Sequence, residues 1–400
     1  MNFTEARAQF PALREKSFLD AACVSLTPLV ATEAIQQFLE VALHCPSRSS
    51  TLHHIAIDEM RSNARTEAAG LINADESEIA LVESTSHGLA IAAEALSLER
   101  GDRILTSDLE FLEVAVPWCQ KQQRMGLEID VVPNNRGAIH IEDVAERITP
   151  RTKAVVISSV QWSNGFRLDL DSLSALCRDR RISLVIDAVQ QLGAFPIDVR
   201  KTPIDILACG GHKWLNAPFG VGLLYINRNA FPALLQPLTG YLNIERPEGG
   251  WGNYFQTPEI TPVRDYKYIS DARRFEIGGT SNYPGAIGLA ASLHMINQLG
   301  SAKIASFLCE LTTYLLTELI HLGVEIVTPV ELQTRSGIIT FSLGSRDRNL
   351  ALMEYLLEHK VLISVRYTSG VGGVRVSSHF FNTKDDLDRV IEHTRNFLRS

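Results

Sequence analysis

Three polar segments stand where apolar runs end. Lys213 lies in Gly-Gly-His-Lys-Trp-Leu (210–215), just past the apolar run 205–210 and flanked by His212 and Trp214. A lysine desolvated at the end of a buried strand has its pKa lowered and becomes an amine nucleophile that forms Schiff bases. The alternative is a lysine that snorkels to solvent. Asp187 closes the run 183–187. A carboxylate there needs a partner, and a cationic ring nitrogen is one; a helix cap is the plainer use. Ser84-Thr85-Ser86-His87-Gly88 follows the run 79–83 and opens a helical stretch. Hydroxyls and free N–H groups at a helix N-terminus suit a phosphate, or simply cap the helix. Phosphate donors, an acid for a ring nitrogen and a Schiff-base lysine are the parts that pyridoxal phosphate (PLP) requires. No Gly-x-Gly-x-x-Gly or P-loop pattern competes for a nucleotide reading.

The elements that must position these residues alternate in type. Apolar runs at 79–83, 103–107, 154–159, 183–188, 205–210 and 220–226 read as strands, with helical spacing at 87–99 and 170–181. This predicts a mostly parallel sheet covered by helices, with ligands at the carboxyl ends of the strands. Residues 236–272 carry Gly, Pro, Tyr and charge without a period, long enough to imply a pocket or an interface. Beyond 285 the pattern changes to helices at 285–300 and 303–323, strands near 337–342, 361–366 and 373–378, and a last helix at 384–398. The expected division is an N-terminal segment 1–17 packing on the small domain, a large cofactor-binding domain 18–284 and a smaller C-terminal α+β domain 285–400.

Bulk properties narrow the partners. The 400-residue chain is 45% hydrophobic and 21% charged, with a net charge of −8, which leaves no basic footprint for nucleic acid or an anionic membrane. No window approaches the roughly 20 apolar residues of a spanning helix. Cys23, Cys45, Cys119, Cys177, Cys209 and Cys309 are scattered, with no metal-ligand spacing. Free thiols in a reducing cytoplasm are the expectation, with no bound metal.

On Val-Ile-Asp-Ala-Val-Gln-Gln (185–191), Gly-Gly-His-Lys-Trp-Leu (210–215) and Arg-Arg-Phe-Glu-Ile-Gly-Gly (273–279), the chain resembles the class V aminotransferases. These are fold-type-I PLP enzymes that include cysteine desulfurases and isopenicillin-N-epimerase-like proteins. The likeness runs from Phe-Leu-Asp-Ala-Ala (18–22) to the last helix. It implies a mostly parallel seven-stranded central sheet with helices on both faces, plus the smaller C-terminal domain. It also implies roles. Lys213 holds PLP as a Schiff base and shuttles the Cα proton, Asp187 pairs with the ring nitrogen, and Gln190 bonds the ring hydroxyl oxygen. Thr85, Ser86, His87 and His212 lie at the cofactor's phosphate, and Phe111 stacks on the ring. Arg375 forks the substrate α-carboxylate, with Arg366 a second candidate. Gln161 and Trp162 line the substrate pocket. A homodimer with sites at its interface follows, Thr280 reaching the neighbour's phosphate.

Departures from the family pattern then steer the expectation. Residues 365–375 join two late strands directly, with no cysteine in the loop, so persulfide-forming cysteine desulfurase is set aside. Cys23 remains near the site and Cys209 reads as core. Phe111 stands where a histidine would also move protons, so a further acid is sought among His53, His54 and His87. Aminotransferase-type chemistry on an α-amino acid is placed first. A β-eliminating C–S lyase of the cysteine/cystine type and an epimerase are the alternatives, since all share one carbanion. Outside enzymes, the alternative is a PLP-binding sensor or interaction module; residues 1–17 are too short for a fused DNA-binding domain.

Overall fold

The structure, a computed structural model, describes residues 1–400. Its first half runs α1 (Phe3–Ala8), β1 (Ser17–Phe18), α2 (Leu29–His44), α3 (Ser50–Ile72), β2 (Ile79–Val82), α4 (Thr85–Ala95), β3 (Arg103–Ser107), α5 (Leu112–Met125), β4 (Glu128–Val132), α6 (Ile141–Arg147) and β5 (Thr152–Ser158). Then come α7 (Leu170–Arg180), β6 (Ser183–Asp187), β7 (Ile206–Gly210), β8 (Gly222–Ile226), α8 (Gly250–Tyr254), α9 (Tyr283–Leu299) and α10 (Ser301–His321). The chain closes with β9 (Glu325–Ile326), β10 (Ile338–Ser342), α11 (Arg346–Glu358), β11 (Val361–Leu362), β12 (Ser364–Thr368), β13 (Val371–Ser377) and α12 (Lys384–Arg399).

Seven strands form the central sheet in the order β2-β8-β7-β6-β5-β3-β4. Only β8 runs against its neighbours β2 and β7; the other pairs are parallel. Alternate side chains serve two cores, as a sheet covered on both faces requires. Val155, Ile157, Leu184, Ile186 and Leu207 point into one core, which also holds Ala64 and Ala68 of α3 and Leu289 and Leu293 of α9. Ala154, Val156, Val185, Ile206 and Ala208 point into the other, with Leu89 of α4 and Trp118 of α5. This double burial is why these strands read as continuous apolar runs.

A second, four-stranded antiparallel sheet, β12-β13-β10-β9, packs with α10, α11 and α12 around a third core. The N-terminal segment is tied to this part. Phe3 stacks on Phe307 at 4.4 Å, and Arg7 pairs with Asp386 at 2.8 Å. β1 runs parallel to β11, and the Ser377 N–H donates to Leu19 O at 2.7 Å. That last bond carries Asp20 to β13. No helix is long and apolar enough to cross a membrane.

Candidate active site

The site is built on the ends of neighbouring strands. β6 and β7 are paired in register, Asp187 opposite Ala208, so the acid closing β6 and the lysine past β7 come from adjacent ends. The turn that carries Lys213 is held from all sides. The Ala217 N–H donates to Gly211 O, Asn216 adopts φ 54°, and its side-chain amide donates to Ser25 Oγ at 2.7 Å. Trp214 is fully buried, and its Nε1–H donates to Gln190 Oε1 at 2.7 Å. The Trp214 carbonyl accepts from His379 Nε2 at 3.0 Å. Gly193, at φ 91°, lies so close that an added Cβ would stand 2.1 Å from that carbonyl oxygen.

Burial governs the charges here. It pushes the Lys213 amine below its ordinary pKa, against the pull of Asp187 and Glu113. Lys213 Nζ lies 5.7 Å from the centre of the Phe111 ring and has no carboxylate within salt-bridge distance. Burial, and then the charge of Glu113, pushes Asp187 up to about 8, although its Oδ1 accepts the Val189 N–H at 2.9 Å. A desolvated carboxylate of this kind suits a cationic ring nitrogen, which would restore its ionised form.

The end expected to meet the phosphate is the N-terminus of α4. Ser84 caps the helix, its hydroxyl accepting the His87 N–H at 3.1 Å. Thr85 Oγ1 accepts the Gly210 N–H at 2.8 Å and keeps its own proton to donate. A Cβ on Gly210 would fall 2.9 Å from Thr85 Oγ1 and 3.2 Å from His212 Nδ1, so the absence of a side chain leaves this cradle open. His212 stacks on Phe219 at 5.3 Å, and burial, then the neighbouring Lys213, pushes it down to about 4. It therefore meets an anion as a neutral donor. His87 is turned to its own cap, its Nδ1 accepting the Glu83 N–H at 3.2 Å. The donors, the desolvated acid and the unpaired lysine together fit PLP.

The residues expected to meet the substrate include two arginines of the second sheet. Arg375 on β13 is 1% exposed; it donates to Asp20 Oδ1 at 3.0 Å and to Trp162 O at 2.8 Å. Burial lowers its pKa, and Asp20 opposes that. Arg366 donates to Val365 O at 2.9 Å and to Cys23 Sγ at 3.4 Å. Trp162 meets the edge of Phe111 at 5.1 Å. Gln161 donates to the buried Glu110 at 3.0 Å, and Ser107 and Ser158 also bond to that acid. Gln190 has its carbonyl on Trp214 and one amide N–H on Ala22 O at 3.0 Å, leaving one donor free for a ring oxygen.

Not every expected residue joins this cluster. Thr280 is exposed and bonds to none of these residues. His54 pairs loosely with Asp58 and lines a separate cavity of about 720 Å³ with Arg61, Tyr241 and Glu276. Residues not foreseen take part: Asp20 holds Arg375, Glu110 holds Gln161, and Glu113 accepts from Ser86 while its charge acts on Asp187 and Lys213. For Asp20 the signal was present in Phe-Leu-Asp-Ala-Ala (18–22), an isolated acid in apolar company. β12 and β13 are joined by a tight turn at Ser369 and Gly370.

Residues 17–390 match the family description "Aminotransferase class-V". A probable cysteine desulfurase of Pyrococcus abyssi is 28% identical, covering 99% of this chain and 98% of its own. The apo cysteine desulfurase of Thermococcus onnurineus superposes with a TM-score of 0.86 at 25% identity, covering 99% of this chain and 98% of the other. The cystine C–S lyase C-DES, solved with cysteine persulfide, has a TM-score of 0.85 at 23% identity over 97% of this chain and 99% of the other, a likeness of fold. These relatives correct the expectation that set persulfide-forming desulfurase aside and put aminotransferase chemistry first. That expectation rests on one loop and on Phe111 standing in place of a histidine, whereas the likeness to desulfurases runs the length of the chain. A single loop is replaced more easily than the scaffold that positions the cofactor. The chain belongs to the class V aminotransferase family and is a PLP-dependent enzyme of fold type I.

Proposed function

We propose that this enzyme cleaves the carbon–sulfur bond of cysteine or a cysteine-derived α-amino acid. One observation carries the reading: the buried Lys213 feels the charges of both Asp187 and Arg375, in a chain whose full-length relatives are cysteine desulfurases. Bound PLP supplies an electron-withdrawing ring that stabilises negative charge at the substrate Cα. Lys213, its pKa lowered by burial, anchors the cofactor and takes the Cα proton. Asp187 holds the ring nitrogen protonated. Phe111 stacks on the ring, Trp162 flanks it, and Gln190 offers its remaining N–H to the ring oxygen. Thr85, Ser86 and His212 hold the phosphate.

Arg375 fixes the substrate carboxylate as a planar fork, set by Asp20 and the Trp162 carbonyl. Arg366 and Cys23 stand beside it, so the sulfur end of the substrate meets a cation and a thiol. As part of the same proposal, the enzyme is a homodimer that brings Thr280 to its neighbour's phosphate; Thr280 is exposed, as such a contact requires. A solution monomer with full activity would overturn that part.

The test is a product balance. The holoenzyme is given L-cysteine and, separately, L-cystine; sulfide, protein-bound sulfur, alanine and pyruvate are quantified. The proposal expects one carbon–sulfur bond broken per alanine or pyruvate formed, with one sulfur released or transferred from L-cysteine and one cysteine persulfide released from L-cystine. Amino-group transfer to a 2-oxo acid, with the carbon–sulfur bond intact, would refute it.

A further inference from the structure

The phosphate end of the site holds a carboxylate for which the reaction has no use. Glu113 lies in the first turn of α5, two residues after Phe111. Its Oε2 accepts the hydroxyl proton of Ser86 at 2.5 Å. Ser86 is the second residue of α4, an eleven-residue helix whose N-terminus is the expected phosphate cradle. A helix N-terminus favours an anion, and here the anion is supplied by the chain itself. The charge of Glu113 reaches the rest of the site: it raises Asp187 and pulls Lys213 upward.

The groups around this carboxylate make the arrangement unusual. Ser86 meets it from α4, and its charge acts on Asp187 of β6 and on Lys213 in the turn after β7. Burial holds His212 neutral. No arginine pairs with Glu113. A cofactor phosphate, carrying close to two negative charges at neutral pH, needs the hydroxyl that Glu113 occupies. Two anions on one donor repel, so one of them must leave. Glu113 can do so: it is half-buried, and its neighbours Phe111 and Leu112 are exposed, which leaves a route to solvent.

We propose that Glu113 is an internal competitor for the cofactor's phosphate, seated on Ser86 and the α4 N-terminus until the phosphate displaces it. Glu113 thereby weakens cofactor retention and makes the coenzyme exchangeable. This goes beyond the carbon–sulfur reading and stands whichever substrate the enzyme takes.

The test uses the apo forms of wild type, Glu113→Gln and Glu113→Ala. PLP is titrated against each and followed by quenching of tryptophan fluorescence; loss of bound PLP on dialysis is timed. Inorganic phosphate, which makes no bond to Lys213, is titrated separately by its effect on the thermal midpoint. Both variants should bind PLP at least about fivefold more tightly, lose it more slowly, and reach half-protection at lower phosphate. Equal or weaker binding of both ligands by both variants would overturn the proposal, because the carboxylate would then be neutral toward the phosphate or help to hold it. Ser86→Ala serves as the reference, and it should weaken phosphate protection in the Glu113→Gln background.

Discussion

The β6–β7 edge and the segment 236–272 are opposites. At the edge, Asp187 is 2% exposed, Trp214 is fully buried, and every side chain that frames Lys213 has a named partner. In the segment, Val263 is 87% exposed and Phe255 59%, and the aromatics hold one another: Trp251 stacks on Phe255 at 5.5 Å and meets Tyr241 edge-on at 5.6 Å. Together with Tyr254 and Tyr266 they line a cavity of about 620 Å³. The edge must hold one geometry because its chemistry depends on fixed distances. The segment need only present a surface. Rigid placement leaves motifs, and surface shaping leaves composition.

The difference can be broken first at the lysine. Lys213→Ala should lower carbon–sulfur cleavage by on the order of 10⁴-fold while the thermal midpoint holds, read by product assay and calorimetry side by side. Arg375→Met should lower kcat/KM for the amino acid by roughly 10²–10³-fold, mostly through KM, and should also destabilise, since Asp20 loses its buried partner. Gly193→Ala tests the frame rather than the chemistry. Its Cβ collides with the Trp214 carbonyl and its φ is positive, so unfolding in urea should show a loss of about 3 kcal/mol, with weaker PLP retention.

Two smaller effects sharpen the contrast. Burial pushes His379 down to about 3, so it folds neutral, while the unfolded chain takes up its proton near 6.5. The stability this gives is whole above pH 6.5 and is lost as pH falls toward 3. His379→Gln should flatten that acid limb in urea titrations across the window. In the segment, Trp251→Ala should change the chain's own stability by less than about 1 kcal/mol, against the 3 kcal/mol expected at Gly193.

Legibility followed the same divide. The strands β2, β3, β5, β6, β7 and β8 announce themselves as apolar runs because both faces are buried. β4, at the sheet's end, is a mixed Glu-Ile-Asp-Val-Val that is only partly covered, and it gives no such run. α3 buries mainly Ala64, Ala68, Ala69, Leu71 and Ile72, all in its second half, so most of its 23 residues show no apolar stripe. The run expected over 361–366 divides into β11 and β12, which belong to different sheets. Lys213 and Asp187 are readable because each closes a buried strand. Asp20, Glu110 and Glu113 are single acids whose partners lie 355, 51 and 27 residues away. No local pattern encodes such pairs; only the folded chain brings them together.

The most direct measurement of the central claim is where the cofactor is bonded. The holoenzyme, reduced with borohydride and digested, should carry the mass of a reduced pyridoxyl phosphate group on the peptide containing Lys213. Wild type treated with cysteine before reduction should lose that label from the peptide, as the substrate amine takes its place. A label on another lysine, or none in protein fully loaded with PLP, would contradict the account from Lys213 outward.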